Sequence, residues 1–202
     1  MNFVAPLTAV DGWETLARET RYEDAHLLVT TEEVRTPAIT NPRRWTVVHR
    51  KPAVVIAALT ADGKLVLIRQ ERIPIRDTIW EVPAGQIDEP AEMEPEAMQA
   101  VVLRELQEET GYVLPPDSEL QPLGSYFSSP GFTDERGHFF LARGVGPGAE
   151  GHAHQESESI LDCRAFGGSE IRVMIASNEI RDANTLSICA QLIARGFLGL
   201  DS

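Results

Sequence analysis

Three carboxylates crowd into five positions of the stretch Arg104-Glu105-Leu106-Gln107-Glu108-Glu109-Thr110-Gly111-Tyr112. On a helix, at about 100° per residue, Glu105, Glu108 and Glu109 fall at i, i+3 and i+4 and project from one face. Like charges at that spacing repel and weaken the helix, so the stripe calls for a compensating cation. Hard divalent ions such as Mg²⁺ take oxygen ligands and bridge carboxylates to the phosphates of a substrate. The stripe is a candidate metal-phosphate site, set against the plainer alternative of a solvated acidic face. A second acidic cluster, Gln155-Glu156-Ser157-Glu158-Ser159-Ile160, follows the Gly-rich stretch 144–151 and precedes a strand-like run. A loop there can carry a carboxylate that closes over a bound substrate, or it can be solvated and nothing more.

The elements that must position these groups follow an α/β order. Residues 25–34 and 44–50 read as strands, the second through the alternation of Trp45, Val47 and His49 against Thr46, Val48 and Arg50. Ala53–Thr60 is a continuous apolar run, as in a strand buried on both faces. Asp62-Gly63 predicts a tight turn returning through 65–70. Trp80–Val82 is a short strand delivering Pro83-Ala84-Gly85. Pro95 suits the first turn of the next helix, Glu94 and Glu96 suit its positive end, and Gly111 stops it. Leu103 and Leu106 are expected to face inward beside the acids. Strands are predicted at 120–127, 137–142 and 159–166. Helices are predicted at 170–176 and 185–195, the latter with Leu186, Cys189, Ala190 and Ile193 on one face.

Composition narrows the functional classes. The 202 residues suffice for one sizeable core with a small appendage, and 43% hydrophobic with 24% charged residues is ordinary for a soluble domain. A net charge of −13 argues against a nucleic-acid partner. An anionic ligand would then rely on metal ions and a few local arginines. No segment has transmembrane length and no leader pattern opens the chain, so a cytoplasmic protein is expected, with no membrane partner. Cys163 and Cys189 fit no metal spacing or disulfide framework and are expected to pack as small apolar groups. His152 and His154 lack a third ligand, His49 and His138 sit in strand patterns, and Trp13 and Trp80 are read as packing residues.

Glu96, then seven residues, then Arg104 through Gly111 resembles the Nudix hydrolase signature, G-x5-E-x7-R-E-U-x-E-E-x-G-U with U aliphatic. Tyr112 stands where an aliphatic residue is usual. Ten residues rather than five separate Gly85 from Glu96, which reads as an enlarged loop; alternatively Glu92 takes the role of Glu96 on a lengthened helix. Within that superfamily the chain is similar to the ADP-ribose pyrophosphatase group. The likeness lies in Arg69-Gln70-Glu71-Arg72-Ile73-Pro74 before Trp80–Asp88, in Ser129-Pro130-Gly131-Phe132-Thr133-Asp134-Glu135, and in Glu156 and Glu158. It spans about residues 44–195.

The resemblance implies an α/β (α+β) Nudix fold, a mixed sheet sandwiched between helices. It implies a small N-terminal β segment, residues 1–48, exchanged across a homodimer, ahead of a Nudix domain at 49–202. The implied reaction is metal-dependent hydrolysis of ADP-ribose to AMP and ribose 5-phosphate, with Mg²⁺ or Mn²⁺. Other small-molecule nucleoside diphosphate sugars, such as GDP-mannose or a UDP-sugar, are the alternative substrates, and a non-catalytic Nudix-like binding module is the alternative class. Metal falls to Glu105 and Glu109, with Glu108 sharing, the Ala84 carbonyl beside Gly85 completing the shell, and Arg104 orienting the carboxylates. Either Glu156 or Glu158 is the general base, the other helping to hold metal. Arg72 is implied to contact the diphosphate and Glu135, on the Pro130 loop, the terminal ribose. Trp45 is read as stacking on the base or, equally, as packing.

Overall fold

A computed structural model describes residues 12–88, 93–149 and 159–199. The chain divides into two compact units, one of Met1–Pro52 with Phe127–Arg136 and one of Ala53–Tyr126 with Gly137–Ser202.

In the first unit, β1 (Glu14–Glu23), β2 (Leu27–Thr36) and β3 (Ile39–Arg50) form an antiparallel sheet in that order. Asp24 builds the first turn: its Oδ1 accepts from the His26 amide at 2.8 Å and the Leu27 amide at 2.9 Å, an Asx turn. The strand β1 escapes prediction from sequence because it is exposed along its whole length, so no buried face imposes an apolar alternation. Trp13, read as a packing residue, is exposed here. The 127–136 segment runs beside β3, where Thr133 bridges Val48 in parallel and the Val48 amide donates to the Phe132 carbonyl at 2.8 Å.

The second unit is a mixed sheet in the order β11 (Ile160–Phe166), β5 (Leu65–Arg72), β4 (Ala53–Thr60), β10 (Arg136–Pro147), β8 (Tyr112–Val113). Off this path, β6 (Asp77–Glu81) pairs with β5, β7 (Ala84–Gln86) with β4, and β9 (Leu120–Phe127) with β10. The β4–β10 pair is parallel and the others with a stated register are antiparallel. The apolar run of β4 is buried on both faces, as its composition requires. Val55 and Ala57 face a cluster containing Ile171, Met174, Ile188 and Leu192 from α2 (Gly168–Ala176) and α3 (Ala183–Ala194). Val54, Ile56 and Ala58 face Met98, Val102 and Leu106 from α1 (Pro95–Thr110). A sheet between helices is thus the architecture. Burying side chains of this size stabilises by about 1.5–3 kcal/mol each, so these two layers supply most of the unit's cohesion.

Several local expectations need correction. The strand β10 continues to Pro147, so part of the predicted Gly-rich loop is ladder, paired with β8. Leu103 does not face inward; it is 42% exposed, since the α1 face turned to the sheet carries Met98, Val101, Val102, Leu106 and two of the acids. On α3 the buried stripe is Thr185, Ile188, Cys189 and Leu192, with Leu186 and Ile193 outside it. Cys189 is buried and Cys163 half-buried; both are free thiols whose burial pushes them up, to about 11 and about 12. Trp80 packs edge-on to Phe166 with ring centroids 5.0 Å apart. No helix among the described residues is long and apolar enough to cross a membrane.

Candidate active site

The helix carrying the carboxylate stripe starts at Pro95, behind an extended Glu94, and stops at Gly111. Gly111 takes a left-handed φ of 70° and its amide donates to the Gln107 carbonyl at 2.9 Å, the termination that glycine makes cheap. Glu96 lies in the first turn, the position the enlarged-loop reading assigns it. Glu92 lies outside the described residues.

Burial divides the stripe. Glu105 is 6% and Glu109 3% exposed, while Glu108 is half-buried. Glu109 is not part of a solvated acidic face: its Oε2 accepts from the Ala84 amide at 2.8 Å. Ala84 and Gly85 are held there by the pairing of β7 with β4, Ala84 opposite Val55 and Gly85 opposite Val54. The Glu105 carboxyl lies so close to Gly85 that any Cβ at that position would overlap it, which is why a residue without a side chain stands there. Arg104 Nη2 donates to Glu105 Oε1 at 2.8 Å, and its Nε lies 4.0 Å from Glu108 Oε2. Burial pushes the Glu105 carboxyl above the usual carboxylate range, Arg104 opposes this, and Glu108 and Asp88 add to it.

Arg72, at the end of β5, is held by Glu81 of β6. Its Nε lies 2.9 Å and 3.0 Å from the two Glu81 oxygens, and its Nη2 also donates to Oε2. Glu81 is buried, which raises its carboxyl against the opposing pull of Arg72. Asp182 and Glu109 also act electrostatically on Arg72. Asp182 caps α3, accepting from the Thr185 amide and hydroxyl at 2.8 Å each, and Thr185 Oγ1 accepts from the Val82 amide at 3.0 Å. The buried Thr185–Val82 bond thus pins the strand end that delivers Ala84. Neither Glu81 nor the Asp182–Thr185 cap stands out as functional in sequence, though an Asp just before an apolar-periodic run is a helix-start signal.

The predicted residues fall into separate groups. Ala84, Gly85, Arg104, Glu105, Glu108 and Glu109 come together in the second unit, and Arg72 is coupled to Glu109 there. Trp45, Pro130 and Glu135 belong to the first unit. Trp45 is 54% exposed, so it is not a core residue, and its Nε1 donates to the Gly131 carbonyl at 3.0 Å. The Glu135 carboxylate meets Ser128 Oγ at 2.6 Å and Arg50 Nη1 at 3.1 Å. Glu156, Glu158, His152 and His154 lie outside the described residues.

For a divalent cation, the donor chemistry fits. Glu105, Glu108 and Glu109 are hard oxygen donors on one helix face, and the burial of Glu105 disfavours its charge without a counter-ion. Among the described residues no three His, Cys, Asp or Glu side chains already close into a ligand set; Glu105 is turned to Arg104 and Glu109 to the Ala84 amide.

The NUDIX domain family matches residues 49–185. The chain is 32% identical over 172 residues to ADP-ribose pyrophosphatase of Bacillus subtilis (strain 168), covering 85% of this chain and 88% of that protein. It is 31% identical over 140 residues to the methanol dehydrogenase activator of Bacillus methanolicus, covering 69% and 71%. A solved structure described as an ADP compounds hydrolase superposes with a TM-score of 0.72 at 18% identity, over 95% of this chain and all of that one. At that identity the likeness speaks for the fold.

Proposed function

The chain belongs to the Nudix family as a hydrolase of nucleotide diphosphates, and from that premise we propose that its substrate is ADP-ribose, cleaved to AMP and ribose 5-phosphate. The observation that carries the reading is the pair of nearly buried carboxylates, Glu105 and Glu109, pressed against Ala84 and Gly85 of β7. Buried acids are costly to a fold unless counter-charge offsets them; Arg104 opposes the burial of Glu105, and Arg72 and Glu109 act on one another electrostatically. The cost makes sense for a helix that holds Mg²⁺, or Mn²⁺ in its place, through Glu105 and Glu109, with Glu108 and the Ala84 carbonyl sharing. Bound there, the cation would neutralise the diphosphate and lower the pKa of the attacking water.

Every other role falls to side chains. Arg104 keeps Glu105 oriented when the site is empty of substrate. Arg72, its guanidinium plane fixed by Glu81, presents its fork to diphosphate oxygens. Glu156 or Glu158 takes the proton from water as the water oxygen bonds to phosphorus and the bridging P–O bond breaks. Glu135 accepts from ribose hydroxyls and Trp45 stacks on adenine; the exposure of that ring suits a ligand face. The homodimer is part of the same proposal, supported by the exposed Trp13, Leu16 and Tyr22 of the first unit. Cytoplasmic residence is also proposed.

Substrate is tested by Mg²⁺-dependent phosphate release, after phosphatase coupling, across ADP-ribose, GDP-mannose, UDP-glucose, NADH and diadenosine polyphosphates. The proposal predicts the highest kcat/KM for ADP-ribose. A different preferred sugar nucleotide would keep the chemistry and overturn the substrate, and no turnover of any would favour a binding module.

A further inference from the structure

In the first unit a buried polar network centres on a residue the proposed reaction leaves without a role. His49, on β3, is 4% exposed. Its Nδ1 lies 2.5 Å from Asp134 Oδ2, and its Nε2 lies 2.9 Å from Thr30 Oγ1 and 3.3 Å from Glu32 Oε1. A carboxylate only accepts, so Nδ1 donates to Asp134. The Thr30 hydroxyl has one hydrogen and reaches Glu32 Oε1 at 3.1 Å. Nε2 therefore faces the Thr30 hydroxyl and Glu32 together, and the ring is held from both sides. Arg18 Nε closes the network on Glu32 at 2.7 Å.

The same histidine sits at the middle of a seam. Trp45 Nε1 donates to the Gly131 carbonyl, the Val48 amide to the Phe132 carbonyl, and the Arg50 amide to Asp134 Oδ1 at 3.3 Å. Arg50 also pairs with Glu135. The backbone donors of this seam could come from any residue, and the exposed Arg50 pair is screened by solvent. The His49–Asp134 bond joins two side chains and is part-buried, His49 itself being buried, where a charge-assisted contact counts for more. Trp45 stands four residues before His49, and Glu135 directly follows Asp134.

We propose that His49 is a positioning residue for nucleoside recognition: clamped between Glu32 and Asp134, it fixes the 129–135 loop on β3 and so sets Glu135 and the Trp45 ring for substrate, without touching the substrate itself. This rests on the reading above that Trp45 and Glu135 meet the nucleoside.

The test compares full-length His49→Ala, His49→Asn and His49→Gln by steady-state kinetics with ADP-ribose and Mg²⁺. The Trp45 indole N–H resonance, assigned by Trp45→Phe, is followed in parallel. An Asn amide stands near the Nδ1 position and keeps the Asp134 bond, whereas a Gln amide stands near Nε2 and keeps only the Thr30–Glu32 side. His49→Ala and His49→Gln should raise KM about tenfold, leave kcat within about twofold, and shift the Trp45 indole resonance. His49→Asn should stay near wild type in both. Unmoved KM and resonance in Ala and Gln, loss confined to kcat, or Asn as impaired as Gln would overturn the proposal. If His49→Ala does not fold, the Asn and Gln variants decide. Should the wild type fail to cleave ADP-ribose, the substrate reading falls, and the indole resonance alone decides the clamp.

Discussion

Gly85→Ala tests whether the close approach of β7 and α1 builds the site. The backbone of Gly85 lies outside the left-handed region, so alanine carries no conformational penalty there; the whole effect comes from overlap of the new Cβ with the Glu105 carboxyl. Gly85 cannot withdraw easily, because it pairs with the fully buried Val54 of the central strand. Glu105 must therefore swing away, and overpacking of this kind costs about 1–3 kcal/mol. Loss of the Arg104 contact adds little, since Arg104 is half exposed and solvent screens the pair. At about 2 kcal/mol, Tm falls by roughly 4–8 °C for a chain of this size. Displacing a metal-holding carboxylate by even about 1 Å should lower kcat/KM on the order of a hundredfold. Thermal unfolding by circular dichroism and Mg²⁺-dependent turnover of ADP-ribose measure the two effects. Gly85→Ala combined with Glu105→Ala should recover most of the lost Tm and none of the activity. A single variant with wild-type Tm and rate would refute the argument that the glycine exists to admit Glu105.

Glu109→Gln keeps an acceptor for the Ala84 amide, so the fold should stand while turnover falls by at least about a hundredfold; an undiminished rate removes Glu109 from the mechanism. Glu81 titrates above its ordinary 4.5 because it is buried. Its contribution to stability is fully present below pH 4.5 and is lost as pH rises through the raised folded value. Glu81→Gln should flatten that part of the Tm-against-pH profile of the metal-free protein, and an unchanged slope would contradict the assignment. Removing residues 1–48 should convert dimers to monomers in sedimentation velocity, and a dimer that survives the truncation would refute the exchanged segment.

Sequence patterns reveal what local rules determine. The buried run of β4, the turn at Gly63, the helix bracketed by Pro95 and Gly111, and the three acids on it all follow from periodicity and caps. The burial of Glu109 is not legible that way, because it depends on a strand brought against α1 from 25 residues earlier. The Arg72–Glu81 pair and the Thr185 hydroxyl under Val82 are likewise long-range polar contacts, invisible to windows of apolar spacing. His49 shows the limit plainly. Its strand is predictable from alternation, and its satisfied, buried state follows from that, but the partners Thr30, Glu32 and Asp134 come from elsewhere in the chain. Exposed β1 is missed for the opposite reason, since nothing it buries constrains its residues.

The central claim is that the α1 carboxylates drive metal-dependent cleavage of the ADP-ribose diphosphate. Phosphorus NMR of ADP-ribose with the full-length protein, first in EDTA and then with Mg²⁺ in excess, follows that bond directly. The account predicts an unchanged diphosphate signal in EDTA and its replacement, on adding Mg²⁺, by two phosphomonoester signals for AMP and ribose 5-phosphate, with no such conversion by Glu109→Gln. A diphosphate signal that persists with Mg²⁺, or one that disappears equally well in EDTA, would contradict it.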